Sequence, residues 1–360
     1  MDSNSPKNMA KDNLPLVITS PGVPKSLLTI PVKILQKILD FCDYPAIQSL
    51  LKSDPTLRRF ILSNPPKFQI SIVEITVDDR KVDLNTVIGG QSLGISYVKD
   101  GKENVNISSK FSTFKGVKSK ILENSDFQDV FADDFKSLLE FQNGKIEVLD
   151  FSKTTDSGDI FQKLAGNQIQ IRAKELKMKT NNSSDEILKT LSLLNPENLN
   201  ILNLEQSEAE LEDTPIFVGL NKGENVFQSL EQWQNLEELN APDFQFSFEI
   251  EDYLHLKKVR AQFLYMNMEH MMRLKETFLH SGPPKHFRFT YQLLQDHQNF
   301  PDNFGPFLRN EEDLTASWFY RTPRLSVDQI LMIKVFEMEI EFKFIDGSDV
   351  PEGGIVQDVE

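Results

Sequence analysis

Cysteine is almost missing: Cys42 stands alone in 360 residues, which excludes an intramolecular disulfide and leaves nothing that points to an oxidising compartment. Tryptophan occurs twice. No apolar run approaches the length of a membrane-spanning helix. Positive charge is the scarcer sign, with 39 Lys and Arg against 54 Asp and Glu, for a formal net charge of −15. Affinity for a phosphate backbone rests on clustered Lys and Arg, so nucleic acid is not an expected partner. The same charge disfavours an anionic membrane surface.

Reactive constellations are also absent. His255, His270, His280, His286 and His297 show no metal-ligand spacing; His270 and His280 are ten apart, not the four that zinc helices use. Cys42 falls on an apolar helix face with no basic partner, so it reads as packing. IGGQSLG (Ile88–Gly94) is glycine-rich but lacks the Lys-Ser/Thr of a phosphate loop, and reads as a turn. Asp78-Asp79 and Asp133-Asp134 lie outside any calcium-loop pattern. In TDSGDIF (Thr155–Phe161), Phe161 occupies the place of the second phosphoacceptor that a degradation motif needs. No catalytic, cofactor-binding or metal-binding residue is expected, and no cofactor. The N-x-S/T triplets at Asn106, Asn181 and Asn182 read as chance matches, because no secretory signal accompanies them.

What the chain does have begins after a flexible lead-in, residues 1–26, whose one apolar cluster, Leu14–Ile18, is too short for a signal peptide. Pro31, Pro45 and Pro55 each mark a helix start, and Asp54 is placed to cap the third helix. Ile34, Leu35, Ile38, Leu39 and Cys42 recur at helical spacing, with Lys33, Gln36, Lys37 and Asp40 on the other side. Ile47, Leu50 and Leu51 repeat the pattern in a second helix, and Leu57, Phe60 and Ile61 in a third. Three such short helices are marginal alone and need a partner surface.

This order of residues, Ile30-Pro31, Ile34-Leu35, Ile38-Leu39, Ile47, Leu50 and then Leu57-Arg58-Arg59-Phe60-Ile61, resembles an F-box. The usual opening Leu-Pro is Ile-Pro here, and Leu57 stands where many F-boxes carry Trp. The resemblance implies docking on a Skp-type adaptor and, through it, on a cullin. It assigns adaptor binding to Ile30, Pro31, Ile34, Leu35, Ile38, Leu39, Ile47 and Leu50, without dividing inward from outward faces.

Beyond Pro65-Pro66, FQISIVEITVDD (Phe68–Asp79) and GISYVKDGKENVNIS (Gly94–Ser108) alternate as strands, the second around a Lys99-Asp100-Gly101 turn. A small antiparallel sheet is expected there. Further on, IEVLDF, AKELKM, LNILNL, LEELNA, LKKVRA and PKHFRF share an apolar-x-x-apolar-x-apolar frame. Their fourth positions fall at 149, 176, 202, 239, 259 and 287, at intervals of 27, 26, 37, 20 and 28 residues. Most intervals suit leucine-rich repeats, about 20–29 residues of one strand and one helix. Ser207–Asn225 reads as an acidic insertion in the long interval. Helices are expected around Phe131–Gln142, around Ile187–Leu194 behind a Ser183-x-x-Glu186 capping box, around Phe227–Trp233, and around Met268–Phe278. The methionines there read as core, and KHFRFTY (Lys285–Tyr291) as a strand with one buried face rather than a base-stacking patch.

The order of these segments is similar to F-box proteins that carry an FTH domain, and FADDFKSLLEFQNGKIEVLDF (Phe131–Phe151) and LEQWQNLEELNAPDF (Leu230–Phe244) look like that group's patterns. The expected fold is α+β: a three-helix F-box, a small antiparallel β region, then an irregular leucine-rich-repeat-like α/β solenoid. Expected boundaries are 1–26 lead-in, 27–66 F-box, 67–120 strand-rich spacer, 121–345 repeat domain and 346–360 disordered tail. The resemblance implies a non-enzymatic substrate receptor of an SCF-type ubiquitin ligase in the cytoplasm or nucleus, its repeat surface holding a target protein that no motif names. The alternatives are a repeat scaffold outside any ligase and an enzyme of unusual fold; adaptor and cullin peptides in a pull-down separate the first from the second.

Overall fold

The structure, a computed structural model, describes residues 30–101, 103–112, 116–153, 160–180, 184–206, 216–218, 226–246, 248–281, 285–295, 300–311, 314–322, 324 and 328–359. The lead-in, most of the phosphoacceptor motif, Ser183 and nearly all of the acidic insertion lie outside them. The chain divides into two units, Met1–Phe68 and Gln69–Glu360. Among the described residues no helix is long and apolar enough to cross a membrane.

The first unit holds α1 (Val32–Phe41), α2 (Tyr44–Ser53) and α3 (Pro55–Ser63). Pro31 precedes the first helical residue, and its carbonyl accepts from the amides of Ile34 (2.8 Å) and Leu35 (2.9 Å). Asp43 caps α2 through the Ala46 amide at 2.9 Å. Asp54 caps α3, accepting from Thr56 at 2.7 Å and Leu57 at 3.0 Å, with Pro55 at the first helical position, where no donor is missed. The apolar stripes bury Leu35, Leu39, Ile47, Leu57 and Ile61. Tyr44 meets Phe68 edge to face at 5.7 Å.

The second unit begins with a meander, β1 (Ile70–Val77), β2 (Lys81–Ile88), β3 (Gln91–Asp100), β4 (Asn104–Phe111) and β5 (Lys118–Leu122), each antiparallel to the next. Gly89 and Gly90, both at positive φ, make the two-residue turn between Ile88 and its register partner Gln91. Helices and strands then alternate: α4 (Phe127–Glu140), β6 (Ile146–Lys153), α5 (Ile160–Gly166), β7 (Ala173–Thr180), α6 (Ser184–Ser192), β8 (Ile201–Gln206), β9 (Ile216–Val218), α7 (Val226–Ser229), α8 (Glu231–Gln234), β10 (Glu238–Phe246), β11 (Lys258–Met266), α9 (Met268–Ser281) and β12 (His286–Leu294). The chain ends with α10 (Phe300–Phe304), β13 (Leu308–Asn310), β14 (Thr315–Arg321), β15 (Gln329–Val335), β16 (Glu339–Asp346) and β17 (Val356–Asp358).

Strands β1, β6, β7, β8, β10, β11 and β12 lie side by side and parallel. The six frame markers form one rung: Leu149 faces Leu176, then come Leu202, Leu239, Val259 and Phe287. Val73 extends the rung on one side and Phe342 on the other. All are buried, and the helices cover this face. Phe161 of α5 packs on Phe151 at 4.9 Å, and Phe278 of α9 meets Phe287 edge to face at 5.1 Å. Of the chain's 27 phenylalanines, Phe151, Phe161, Phe278 and Phe287 are among those that fill this layer. Polar staples close the loops beneath it: Gln232 donates to the Leu194 carbonyl at 2.8 Å, and the Lys285 ammonium to those of Leu254 (2.6 Å) and Leu256 (2.9 Å).

Helices followed by a large mixed sheet make the fold α+β. Two expectations need correction. The strand-rich stretch 67–120 is no separate spacer, because β1 pairs in parallel with β6 from Ile72–Val148 to Val77–Lys153, so the sheet runs unbroken through the boundary at 120. Nor is the tail after residue 345 disordered. Gly347–Asp349 form a 3-10 turn, and β17 pairs in parallel with β14. Val350 and Val356 pack against the buried cluster of Phe319, Ile330 and Met332, which holds this segment down.

Candidate functional site

Each parallel strand shows side chains alternately to the helix-covered face and to the opposite one. The opposite face is largely polar. Its central rung reads Glu74, Asp150, Lys177, Asn203, Asn240, Arg260, Arg288 and Glu341 across successive strands. The rung beside it reads Ile72, Val148, Glu175, Ile201, Glu238, Lys258, His286 and Lys343. None of these residues is buried except Glu341.

Carboxylates and cations neighbour one another along both rungs. Lys177 lies 3.7 Å from Glu175, and Asn203 donates to the same carboxylate at 2.7 Å. Lys258 lies 3.8 Å from Glu238. Arg288 forms an ion pair with Glu339 at 2.6 Å, and that carboxylate pushes the guanidinium pKa up. Glu341 receives His286 at 2.8 Å and Lys343 at 3.2 Å. The His286 hydrogen bond, working against the cost of burial and aided by Lys343, holds the Glu341 carboxyl down at about 2. A groove of about 260 Å³ runs over β8, β10, β11 and β12, lined by Asn203, Asn240, Lys258, Arg260, His286 and Arg288 among others.

A second hollow, about 430 Å³ and apolar, lies past the end of β12 between Leu293, Phe300, Phe307, Trp318, Phe336 and Met338. Its one buried hydroxyl, on Tyr291, donates to the Phe336 carbonyl at 2.8 Å, and burial, with Glu337 nearby, pushes the phenol up to about 12. Among the described residues no group of three or more His, Cys, Asp or Glu side chains is arranged to hold a metal ion.

In the first unit the structure separates the residues assigned to adaptor binding. Leu35, Leu39 and Ile47 are buried; Ile30, Ile38 and Leu50 are half-buried; Pro31 and Ile34 are exposed, Ile34 by 51%. Phe41, at 90% exposure, and Val32 were not among them. Ile34, Ile38 and Phe41 follow the i, i+4, i+7 spacing of a single helix stripe, the signal from which Phe41 could have been read. Cys42 ends α1, and its thiol donates to the Ile38 carbonyl at 3.3 Å; burial, with Asp43 beside it, raises its pKa.

Residues 155–307 match the family model of the FTH domain, from just before α5 to just before β13. The chain carries an FTH domain. Over a longer stretch it is 20% identical to "F-box A protein 224" of Caenorhabditis elegans, across 310 residues that make up 83% of this chain and 75% of the relative. The kinship is thus with the F-box A and FTH proteins. No solved structure matches the chain. The groove over β8–β12 lies wholly within the FTH domain, since its lining runs from Ile201 to Arg288.

Proposed function

We propose that this chain is the substrate-recognition subunit of an SCF-type ubiquitin ligase, with α1–α3 docking a Skp-type adaptor, and through it a cullin, while the uncovered sheet face of the FTH domain holds the target protein. We read the parallel rungs as an irregular leucine-rich-repeat-like array, a form that supplies such faces. Its action is non-catalytic: holding a target beside a charged ubiquitin carrier raises the effective concentration of the reacting groups. The work takes place in the cytoplasm or nucleus.

The observation that carries this reading is the stripe on α1 in which Ile34 and Phe41 are exposed and Ile38 between them is half-buried, while Leu35 and Leu39 of the same helix are buried. A helix that has already filled its own core and still shows an aliphatic and aromatic strip is built to meet a second surface. The similarity to an F-box A protein supports taking a Skp-type adaptor as that surface. The test is binding of the purified full chain to a purified Skp-type adaptor, measured by calorimetry. Submicromolar association that is lost in the combined Ile34→Ala, Ile38→Ala and Phe41→Ala variant supports the reading. No association of the folded wild type leaves an interaction scaffold outside any ligase.

A further inference from the structure

On the uncovered face Lys258 and His286 are register partners, as are Arg260 and Arg288. Neighbouring strands lie about 4.8 Å apart, so two arginines directly opposite one another are an unfavourable pair unless an anion joins them. The neighbouring cations have carboxylates of their own: Lys258 has Glu238, Arg288 has Glu339, and His286 and Lys343 share Glu341. Among the described residues Arg260 has none. It is exposed and lies in the groove between Asn240 on one strand and Arg288 on the next.

We infer that Arg260 is the anchor for a carboxylate of an acidic, extended segment of the target protein. The inference rests on reading this face as the target-binding one. A guanidinium fork matches a carboxylate through two parallel hydrogen bonds. Arg288, although paired with Glu339, adds its charge from the next strand, and the Asn240 amide offers donors from the other side. A groove of about 260 Å³ has room for one or two side chains, not for a folded element, so the rest of the segment lies along the rungs. A nucleic acid does not suit the same place. Its phosphates need a continuous basic track, whereas here the flanking cations are matched by glutamates on a chain of net charge −15.

The test uses the full chain and a fluorescein-labelled peptide of alternating Glu and Ser, with a Gln-Ser peptide, a Lys-Ser peptide and a short single-stranded DNA as controls, all read by anisotropy. The acidic peptide alone should bind, more weakly as salt is added. Arg260→Ala should lose roughly tenfold in affinity and Arg260→Lys less, because an ammonium keeps the charge but not the fork. Arg260→Ala should melt no lower than wild type, since it relieves a like-charge pair. Equal binding of the acidic and neutral peptides, no binding of any probe, binding of the DNA in preference, or unchanged affinity in Arg260→Ala each overturns the inference. A parallel arm keeps the two readings apart by comparing the proteins that co-purify from cells with Arg260→Ala and with Lys177→Glu, elsewhere on the same rung. If Lys177→Glu loses proteins that Arg260→Ala retains, the face binds targets but not through an acidic segment. If neither variant loses any, the face itself is not the binding surface.

Discussion

Leu176 and Lys177 are adjacent in the chain and point to opposite faces of β7, the first fully buried in the rung that joins Leu149 to Leu202, the second exposed beside Asn203. One peptide unit thus divides structure from surface. Leu176→Ala should cost about 2–5 kcal/mol, because removing a core side chain loses its transfer energy and leaves a cavity. Lys177→Ala should stay within about 0.5 kcal/mol of wild type. Urea unfolding of both variants checks the contrast, and similar losses would mean that the faces are misassigned.

The helices of the first unit predict a second division. Ile34→Ala, Ile38→Ala and Phe41→Ala combined should leave the melting temperature close to wild type while abolishing adaptor capture. Leu39→Ala or Ile47→Ala alone should instead lower stability by about 2–5 kcal/mol, since both side chains are fully buried. Circular dichroism melts, set against adaptor binding, separate the two classes.

Glu341 predicts a pH dependence. Its carboxyl is held at about 2 in the folded chain against an ordinary value of 4.5. A depressed folded pKa contributes stability that is fully present above the unfolded value and is lost as the pH falls from about 4.5 towards 2. The contribution is at most about 3 kcal/mol, because one pKa unit corresponds to about 1.4 kcal/mol. Glu341→Gln should therefore be less stable than wild type at pH 7, and at pH 2.5 the gap should shrink to a small fraction of that. Denaturant midpoints measured at both pH values test it; a gap that does not change with pH would remove the ion pair from the account.

Removing Gly347–Glu360 should destabilise the second unit. Val350 and Val356 would no longer cover Phe319, Ile330 and Met332, and β14 would lose the parallel pairing from Phe319–Val356 to Arg321–Asp358. Burial of two half-covered valines is worth about 1–3 kcal/mol together. Differential scanning calorimetry of the truncated chain reads the effect directly, and an unchanged melting profile would restore the tail to the status of an appendage.

Much of the parallel sheet was legible because the signal is local and repeated. The apolar fourth position of each frame marks the residue that must point into the core, and Leu149, Leu176, Leu202, Leu239, Val259 and Phe287 fall on one rung despite intervals that range from 20 to 37 residues. What escaped was pairing between distant segments. Nothing in the alternation of Ile70–Val77 says that its free edge takes β6, and nothing near Phe287 says that Phe342 returns to lie against it. The short strand β17 was invisible for a similar reason: three residues carry no period, and its place comes from the edge it completes. In the helices the apolar residues were found, but inward and outward faces were not divided. The Arg260–Arg288 neighbourhood could not be read either, because two arginines one repeat apart mean little until register puts them side by side.

The strand β5, paired on one side with β4, offers its other side to solvent with Lys118 and Lys120 both exposed. A second molecule trying to prolong the sheet by laying its own copy of this strand alongside would bring ammonium groups against ammonium groups. The exposed lysines thus guard the short edge of this five-residue strand against pairing with its own copy.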